Sequence, residues 1–167
     1  MKVRITHREL GEVLYRIKRG LAGYVSYLAA CDMNDAFSEY VLYEPILRIL
    51  VAQGFTAHFE VDCQGIQQPA IGDRRRLDFE AIKGDLRFAL EVKWARKVMV
   101  NVKPDLEKLT AYRRWYPSSK GFLCVFGRKT HLNKMQLGRP LFSERGKAVY
   151  ADMRRTKFGW SIYESLV

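Results

Sequence analysis

Two acids and a lysine near the middle of the chain have the chemistry needed to hydrolyse a phosphodiester bond. Asp78 is followed, after twelve other residues, by Glu91-Val92-Lys93. Carboxylates are the oxygen ligands that a hard cation such as Mg²⁺ prefers. A bound cation polarises a phosphoryl oxygen and lowers the pKa of its water. A lysine beside it could position or deprotonate the attacking water, or stabilise charge on the phosphate.

The pattern around these residues predicts a β-hairpin. Residues 75–82 and 86–94 are two strand-like runs, and the turn signal Lys83-Gly84-Asp85 separates them. Side chains alternate along a strand, so Glu91 and Lys93 share one face of the second run.

The length of the turn decides whether the two acids meet. A four-residue turn pairs Ile82 with Arg87 and places Asp78 opposite Glu91, with Cβ atoms about 4.5–5.5 Å apart. A three-residue turn would send the carboxylates to opposite faces, unless a bulge restored the match. The same pattern is also compatible with a cross-strand cluster on a solvated face, in which Lys93 only pairs an acid.

The remaining periodicities predict an α/β order of helices and strands. A capping box at Thr6 and Glu9 starts a first helix. The final 40 residues favour neither helices nor strands. The other predicted elements are helices over about 7–30 and 36–53, the second starting near Val41 or kinked at Pro45; a strand over 55–63; a helix between Pro104 and Pro117; and a buried strand over 121–127.

Asp78, its spacer and Glu91-Val92-Lys93 on an apolar strand resemble the signature of the PD-(D/E)xK nuclease superfamily. Leu77 stands where the family name has proline. The family core is a helix, three strands, a helix and a strand, the order predicted here over 36–127. The resemblance implies a restriction-endonuclease-like α/β fold in one domain, 1–167, with an extra N-terminal helix at about 7–30 and a basic C-terminal extension at about 128–167.

The resemblance also implies site roles. Asp78 and Glu91 would be catalytic metal ligands, Val92 would lend its backbone carbonyl, and Lys93 would be the catalytic lysine. The cofactor would be Mg²⁺, with Mn²⁺ as a substitute, and the reaction would be hydrolysis of phosphodiester bonds, usually in DNA.

Many family members add a glutamate from the first core helix, and two glutamates compete for this role. Glu39 lies on the apolar line of the second helix, where a carboxylate is costly unless metal or a partner satisfies it. Glu44 lies off that line beside Pro45 and is typical of an exposed acid at a helix start. We expect Glu39 to be the ligand; Glu60 and Asp62 are weaker alternatives.

The charge balance predicts a polyanionic partner. Lys plus Arg number 29 against 18 Asp plus Glu, a net charge of +11.

No apolar run approaches the roughly 18–20 residues of a membrane span, no signal-like stretch opens the chain, and we expect a cytoplasmic protein. Three widely spaced cysteines match neither a disulfide framework nor a zinc site. The candidate phosphate contacts are Arg74, Arg75, Arg76, Arg96, Lys97, Arg113 and Arg114.

Two functional classes therefore compete. The first is a metal-dependent nuclease that acts on DNA more readily than on RNA, alone, as a homodimer or in a larger nucleoprotein complex. The second is a nucleic-acid-binding or complex-assembly protein that kept the fold without catalysis. The intact set of Asp78, Glu91 and Lys93 favours the first class, because an inactive descendant has no chemical need for it.

Overall fold

A mixed seven-stranded β-sheet forms the centre of the molecule and carries helices on both faces, which confirms the α/β class. The computed structural model describes residues 7–33 and 38–167. Within these ranges the helices are α1 (His7–Ala30), α2 (Tyr43–Ala52), α3 (Lys103–Trp115) and α4 (Lys129–Leu132), with a 3₁₀ turn at Tyr40–Leu42. The strands are β1 (Thr56–Asp62), β2 (Arg76–Lys83), β3 (Leu86–Ala95), β4 (Lys120–Arg128), β5 (Phe142–Glu144), β6 (Val149–Met153) and β7 (Thr156–Ser165).

The sheet has the strand order β1-β2-β3-β4-β7-β5, and β6 pairs with β7 as well. Strands β1, β2 and β3 form an antiparallel meander, after which α3 crosses over so that β4 runs parallel to β3. The predicted order of a helix, three strands, a helix and a strand is confirmed. None of the helices in the described ranges is long and apolar enough to cross a membrane.

Helix α1 covers one face of the sheet with the stripe that its periodicity predicts. Its bounds match the predicted 7–30, whereas Thr6 of the capping box lies outside the described residues. The stripe packs against α2, β6 and β7. Burying each large side chain contributes about 1.5–3 kcal/mol. The buried stripe consists of Leu10, Val13, Leu14, Ile17, Leu21, Val25 and Leu28.

Helix α2 begins later than the predicted 36–53. It starts at Tyr43, after the 3₁₀ turn, and a predicted start near Val41 is the closer of the two alternatives. Proline is tolerated in a first helical turn because its missing N–H needs no partner there. Pro45 lies in that turn and is buried, and residues 34–37 lie outside the described ranges.

The C-terminal extension completes the sheet. Strand β7 pairs antiparallel with β4, and β5 and β6 pair with the other edge of β7. Trp160 and Ile162 alternate into the core with no exposed surface. The extension thus covers the backbone edge of β4, which would otherwise be open to pairing with another chain.

Candidate active site

The predicted hairpin register is observed, and it brings Asp78 to Glu91. Ile82 pairs with Arg87, and the paired ladder runs as far as Phe79 and Leu90. At the next position the backbone amides donate to side-chain carboxylates instead of backbone carbonyls. The amide of Asp78 donates to Glu91 Oε1 at 3.3 Å, and the amide of Val92 donates to Asp78 Oδ2 at 2.6 Å.

The neighbouring strand is also irregular at this level. The pairing between β1 and β2 includes Phe59 with Phe79 and Val61 with Leu77, but it omits Glu60, which lies opposite Asp78. Glu60 adopts a φ of +50°, a left-handed conformation that costs a non-glycine residue about 1–2 kcal/mol. At Asp78 the ladder with β1 is therefore interrupted, and the ladder with β3 has just ended.

Helix α3 adds two charged residues that sequence reasoning missed. Lys93 Nζ lies 3.2 Å from Asp105 Oδ2. The ammonium of Lys108 contacts Glu91 Oε2, donates to the backbone carbonyl of Arg76 at 3.0 Å and lies 3.8 Å from Asp105 Oδ1. The site is therefore a chain of alternating charges that links β3 to α3.

A signal for Asp105 was present in the sequence. Asp105, Leu109 and Tyr112 are spaced as one face of a helix, and all three are buried in α3. Asp105 thus has the same sequence signal as Glu39, an acid on the apolar line of a predicted helix. Lys108 has no comparable signal, because it lies beside that line.

Burial is the main influence on the pKa values of the two acids. Glu91 has no exposed surface, and burial together with the charge of Asp78 raises its pKa well above 4.5, against the opposing effect of Lys108. Burial also raises the pKa of Asp78, although hydrogen bonds from the Tyr43 hydroxyl and the Val92 amide oppose the shift. Both acids would gain from an additional positive charge nearby.

The competing glutamates occupy different places. Glu39 is half-buried, and its Oε1 accepts a bond of 2.7 Å from the amide of Trp94, next to Lys93. Its charge, together with those of Asp78 and Glu91, contributes to the raised pKa of Tyr43, after burial as the main cause. Glu44 is exposed and pairs with Arg48 on α2. Of the two, only Glu39 reaches the site.

The two weaker alternatives lie on β1 and bind arginines. Glu60 Oε2 lies 3.4 Å from Arg76, and Asp62 pairs with Arg74 at 2.5 Å and with Arg76 at 3.6 Å. Both acids therefore balance the charge of the arginine run in the folded chain.

The site offers carboxylate oxygens as possible ligands for a metal ion. Asp78 and Glu91 offer the oxygen ligands that Mg²⁺ prefers, and Oδ2 of Asp105 is buried without a hydrogen bond of good geometry in the described part of the chain. In those same ranges no three His, Cys, Asp or Glu residues form a ready metal-binding group. The donors fit a divalent cation, but a cation at Glu91 Oε2 would displace Lys108.

The arginine run opens onto a cleft that borders the site. The cleft has a volume of about 750 Å³, and Asp78 and Lys108 lie in its wall with Arg74, Arg75 and Arg76. All three arginines are exposed and paired with acids, Arg75 with Glu107 at 3.6 Å. Exposed ion pairs contribute only about 0–1 kcal/mol, so the guanidinium groups can exchange these acids for phosphates at little cost.

The other predicted phosphate contacts are spread out. Arg96 is exposed and lies over the Trp94 ring at 4.3 Å, and Lys97 is exposed beside it, both just beyond the end of β3. Arg113 donates to the carbonyls of Ser165 and Val167 at 2.9 and 2.7 Å. Arg114 is exposed in the last turn of α3, at the other end of that helix from Asp105 and Lys108.

Two of the three cysteines are buried. Burial raises the pKa of Cys63 to about 11 and that of Cys124 to about 12, which leaves both thiols protonated and poorly nucleophilic at neutral pH. Cys31 is exposed, and all three are free thiols.

Comparisons with known proteins leave the chain unassigned to a family. No family model matches it, and neither the curated proteins nor the solved structures contain a significant match.

Proposed function

We propose that this protein is a metal-dependent nuclease that hydrolyses phosphodiester bonds, with DNA as the preferred substrate. The observation that carries the proposal is the contact of Asp78 with Glu91, to which Asp105 and Lys108 connect Lys93, beside a cleft edged with arginines. Buried charged groups with raised pKa values in a cleft are typical of active sites.

The resemblance to PD-(D/E)xK nucleases supports the same proposal. The run of α2, β1, β2, β3, α3 and β4 has the element order of the restriction-endonuclease-like core, and the two motif acids and the lysine occur on its hairpin. We therefore extend the proposal to the fold, with α1 and the strands β5 to β7 as additions to that core.

In this proposal Asp78 and Glu91 hold Mg²⁺ or Mn²⁺, with help from the carbonyl of Val92 and from Glu39. When bound, the cation polarises a phosphoryl oxygen and lowers the pKa of its water. Lys93, held by Asp105, orients the attacking water or neutralises charge on the phosphate. Arg74, Arg75 and Arg76 grip the backbone on either side without reading its sequence.

A non-catalytic function is the second candidate, because one contact specifically favours it. Lys108 already neutralises Glu91, as a cation would, and the described residues contain no ready group of three metal ligands. A protein that binds nucleic acid or assembles a complex needs no metal, and a buried lysine would stabilise such a site permanently.

Cleavage assays separate the two candidates. Purified protein is incubated with supercoiled plasmid, single-stranded DNA and RNA in Mg²⁺, Mn²⁺ or EDTA. The variants are Lys93→Ala and Asp78→Asn, with Lys157→Ala as the matched control because Lys157 is an exposed lysine on β7, a strand that β4 separates from β3. Metal-dependent cleavage that both site variants lose and Lys157→Ala retains supports the nuclease. Binding without cleavage in every condition supports the second candidate.

A further inference from the structure

An aromatic groove continues from the proposed active-site cleft. Its volume is about 520 Å³, and two of its rings are strongly exposed, Tyr40 at 68% and Phe59 at 56%. Large aromatic side chains are normally among the more buried residues, so a pair at one groove needs an explanation. The groove is lined by Tyr40, Tyr43, Glu44, Leu47, Phe59 and Glu60.

The ring of Tyr43 packs between the exposed ring of Tyr40 and a buried ring of the sheet. The ring of Tyr43 lies 5.3 Å from Tyr40 and 4.9 Å from Phe79, centroid to centroid, and Phe79 is fully buried in the sheet. Tyr43 also reaches the acid cluster, since its hydroxyl lies close enough to Asp78 to hydrogen-bond with it. Tyr43 therefore connects the exposed ring of Tyr40 to the sheet and to the acid cluster.

The groove and the cleft are one continuous surface. Tyr40, Tyr43 and Glu60 line both, and the cleft adds the arginine run and Lys108. The two acids of the groove lie beside arginines, Glu44 beside Arg48 and Glu60 beside Arg76, so a strand at the groove meets positive as well as negative charge. A basic track for phosphates beside an aromatic platform is the arrangement by which proteins bind single strands.

We propose that this groove binds an unpaired nucleobase of the strand whose phosphate lies in the cleft, so that the preferred substrate is single-stranded or locally unpaired nucleic acid. The inference rests on the proposed function, which it deepens by naming the substrate class. Bases of an intact duplex are stacked on each other and cannot lie on Tyr40 or Phe59, whereas an unpaired base offers a free π-face.

Equilibrium binding in EDTA tests this inference without cleavage. Fluorescence anisotropy is measured for labelled oligo(dT), oligo(U), an abasic strand of the same length and a duplex. The variants are Tyr40→Ala and Phe59→Ala, with Tyr40→Trp and Phe59→Trp as aromatic replacements. Tyr27→Ala on α1 is the control, because Tyr27 is a similarly exposed tyrosine at 62%.

We expect each alanine variant to bind oligo(dT) roughly 5- to 150-fold more weakly and the abasic strand as wild type does. The tryptophan variants should retain the affinity, and oligo(U) against oligo(dT) shows whether RNA or DNA is preferred. Equal binding of the abasic strand and oligo(dT), no effect of the alanine variants, or no binding of any strand would overturn the inference.

Experiment can overturn base binding at the groove and the proposed hydrolysis independently of each other. Aromatic-dependent binding without cleavage in any metal overturns the hydrolysis alone. Metal-dependent cleavage that Tyr40→Ala and Phe59→Ala leave unchanged on single strands overturns the groove alone. Light scattering gives a further outcome: a dimer that these variants convert to a monomer, with nucleic-acid binding unchanged, would make the groove an interface between copies and overturn the inference.

Discussion

Lys108 and Glu91 form a buried ion pair that joins α3 to β3. The carboxylate has no exposed surface, and the lysine side chain is only 16% exposed. Breaking a buried pair by removing one partner costs about 3–5 kcal/mol, because the remaining charge is left without compensation. Lys108 thus supplies to Glu91 the positive charge that a bound metal ion would otherwise supply.

Replacing Lys108 should make the protein more dependent on metal. Lys108→Met leaves the acid cluster without this cation, so we expect lower stability in EDTA and a larger rise in Tm on adding Mg²⁺ than in wild type. The measurement is thermal unfolding with and without Mg²⁺. Lys103→Met, at an exposed lysine of the same helix, is the control. A Mg²⁺ shift no larger than in wild type would contradict competition between lysine and metal.

The stability of the metal-free protein should depend on Glu91 at acidic pH. Its pKa is raised above 4.5 on folding, so between 4.5 and the raised value the folded state binds more protons than the unfolded state. Stability therefore falls as pH rises through this window, by up to about 1.4 kcal/mol per pH unit. We expect the urea-unfolding free energy of wild type minus that of Glu91→Gln to fall with rising pH in EDTA. A flat difference would mean that Glu91 ionises normally.

Glu39 and Glu44 should differ in their effect on metal binding. Glu39→Gln keeps an oxygen that can accept the Trp94 amide, so it removes charge while preserving the fold. We expect it to weaken Mg²⁺ binding about 10-fold or more, as losses of metal-site residues do. Glu44→Gln, at an exposed residue, should change it less than about twofold. Isothermal titration with Mg²⁺ compares the two, and equal effects would exclude Glu39 as a specific ligand.

Strands β3 and β4 approach closely where Gly127 lies beside Ala95, and adding a methyl group at Gly127 tests this contact. A Cβ at Gly127 would lie 2.7 Å from the backbone oxygen of Ala95, so Gly127→Ala must push the strands apart and should cost about 1–3 kcal/mol. Gly23→Ala in α1 meets nothing within 4 Å and should instead stabilise the helix by about 0.5–1 kcal/mol. Urea unfolding of both variants shows whether the signs are opposite.

Local patterns were sufficient to predict the elements and one long-range feature. The stripe of α1 and the hairpin from β2 to β3 follow from periodicity and turn chemistry, which act over a few residues. Because a hairpin register depends on its turn, the sequence predicted the approach of Asp78 to Glu91 for a four-residue turn, and the structure decided that turn length. The bounds of α2 and the strands of the C-terminal extension were not, because a 3₁₀ turn and pairing with β4 depend on contacts distant in sequence.

The sequence by itself was enough to select Asp78, Glu91 and Lys93 as candidate site residues and to place them on one hairpin. Only the tertiary structure decided what surrounds them. Asp105 and Lys108 reach Lys93 and Glu91 because the crossover lays α3 against the same face of the sheet. Tyr40 and Phe59 line one groove because the 3₁₀ turn leads into α2, which packs beside β1. Periodicity within one element gives the direction of a side chain, whereas its neighbours across elements depend on how the whole chain packs.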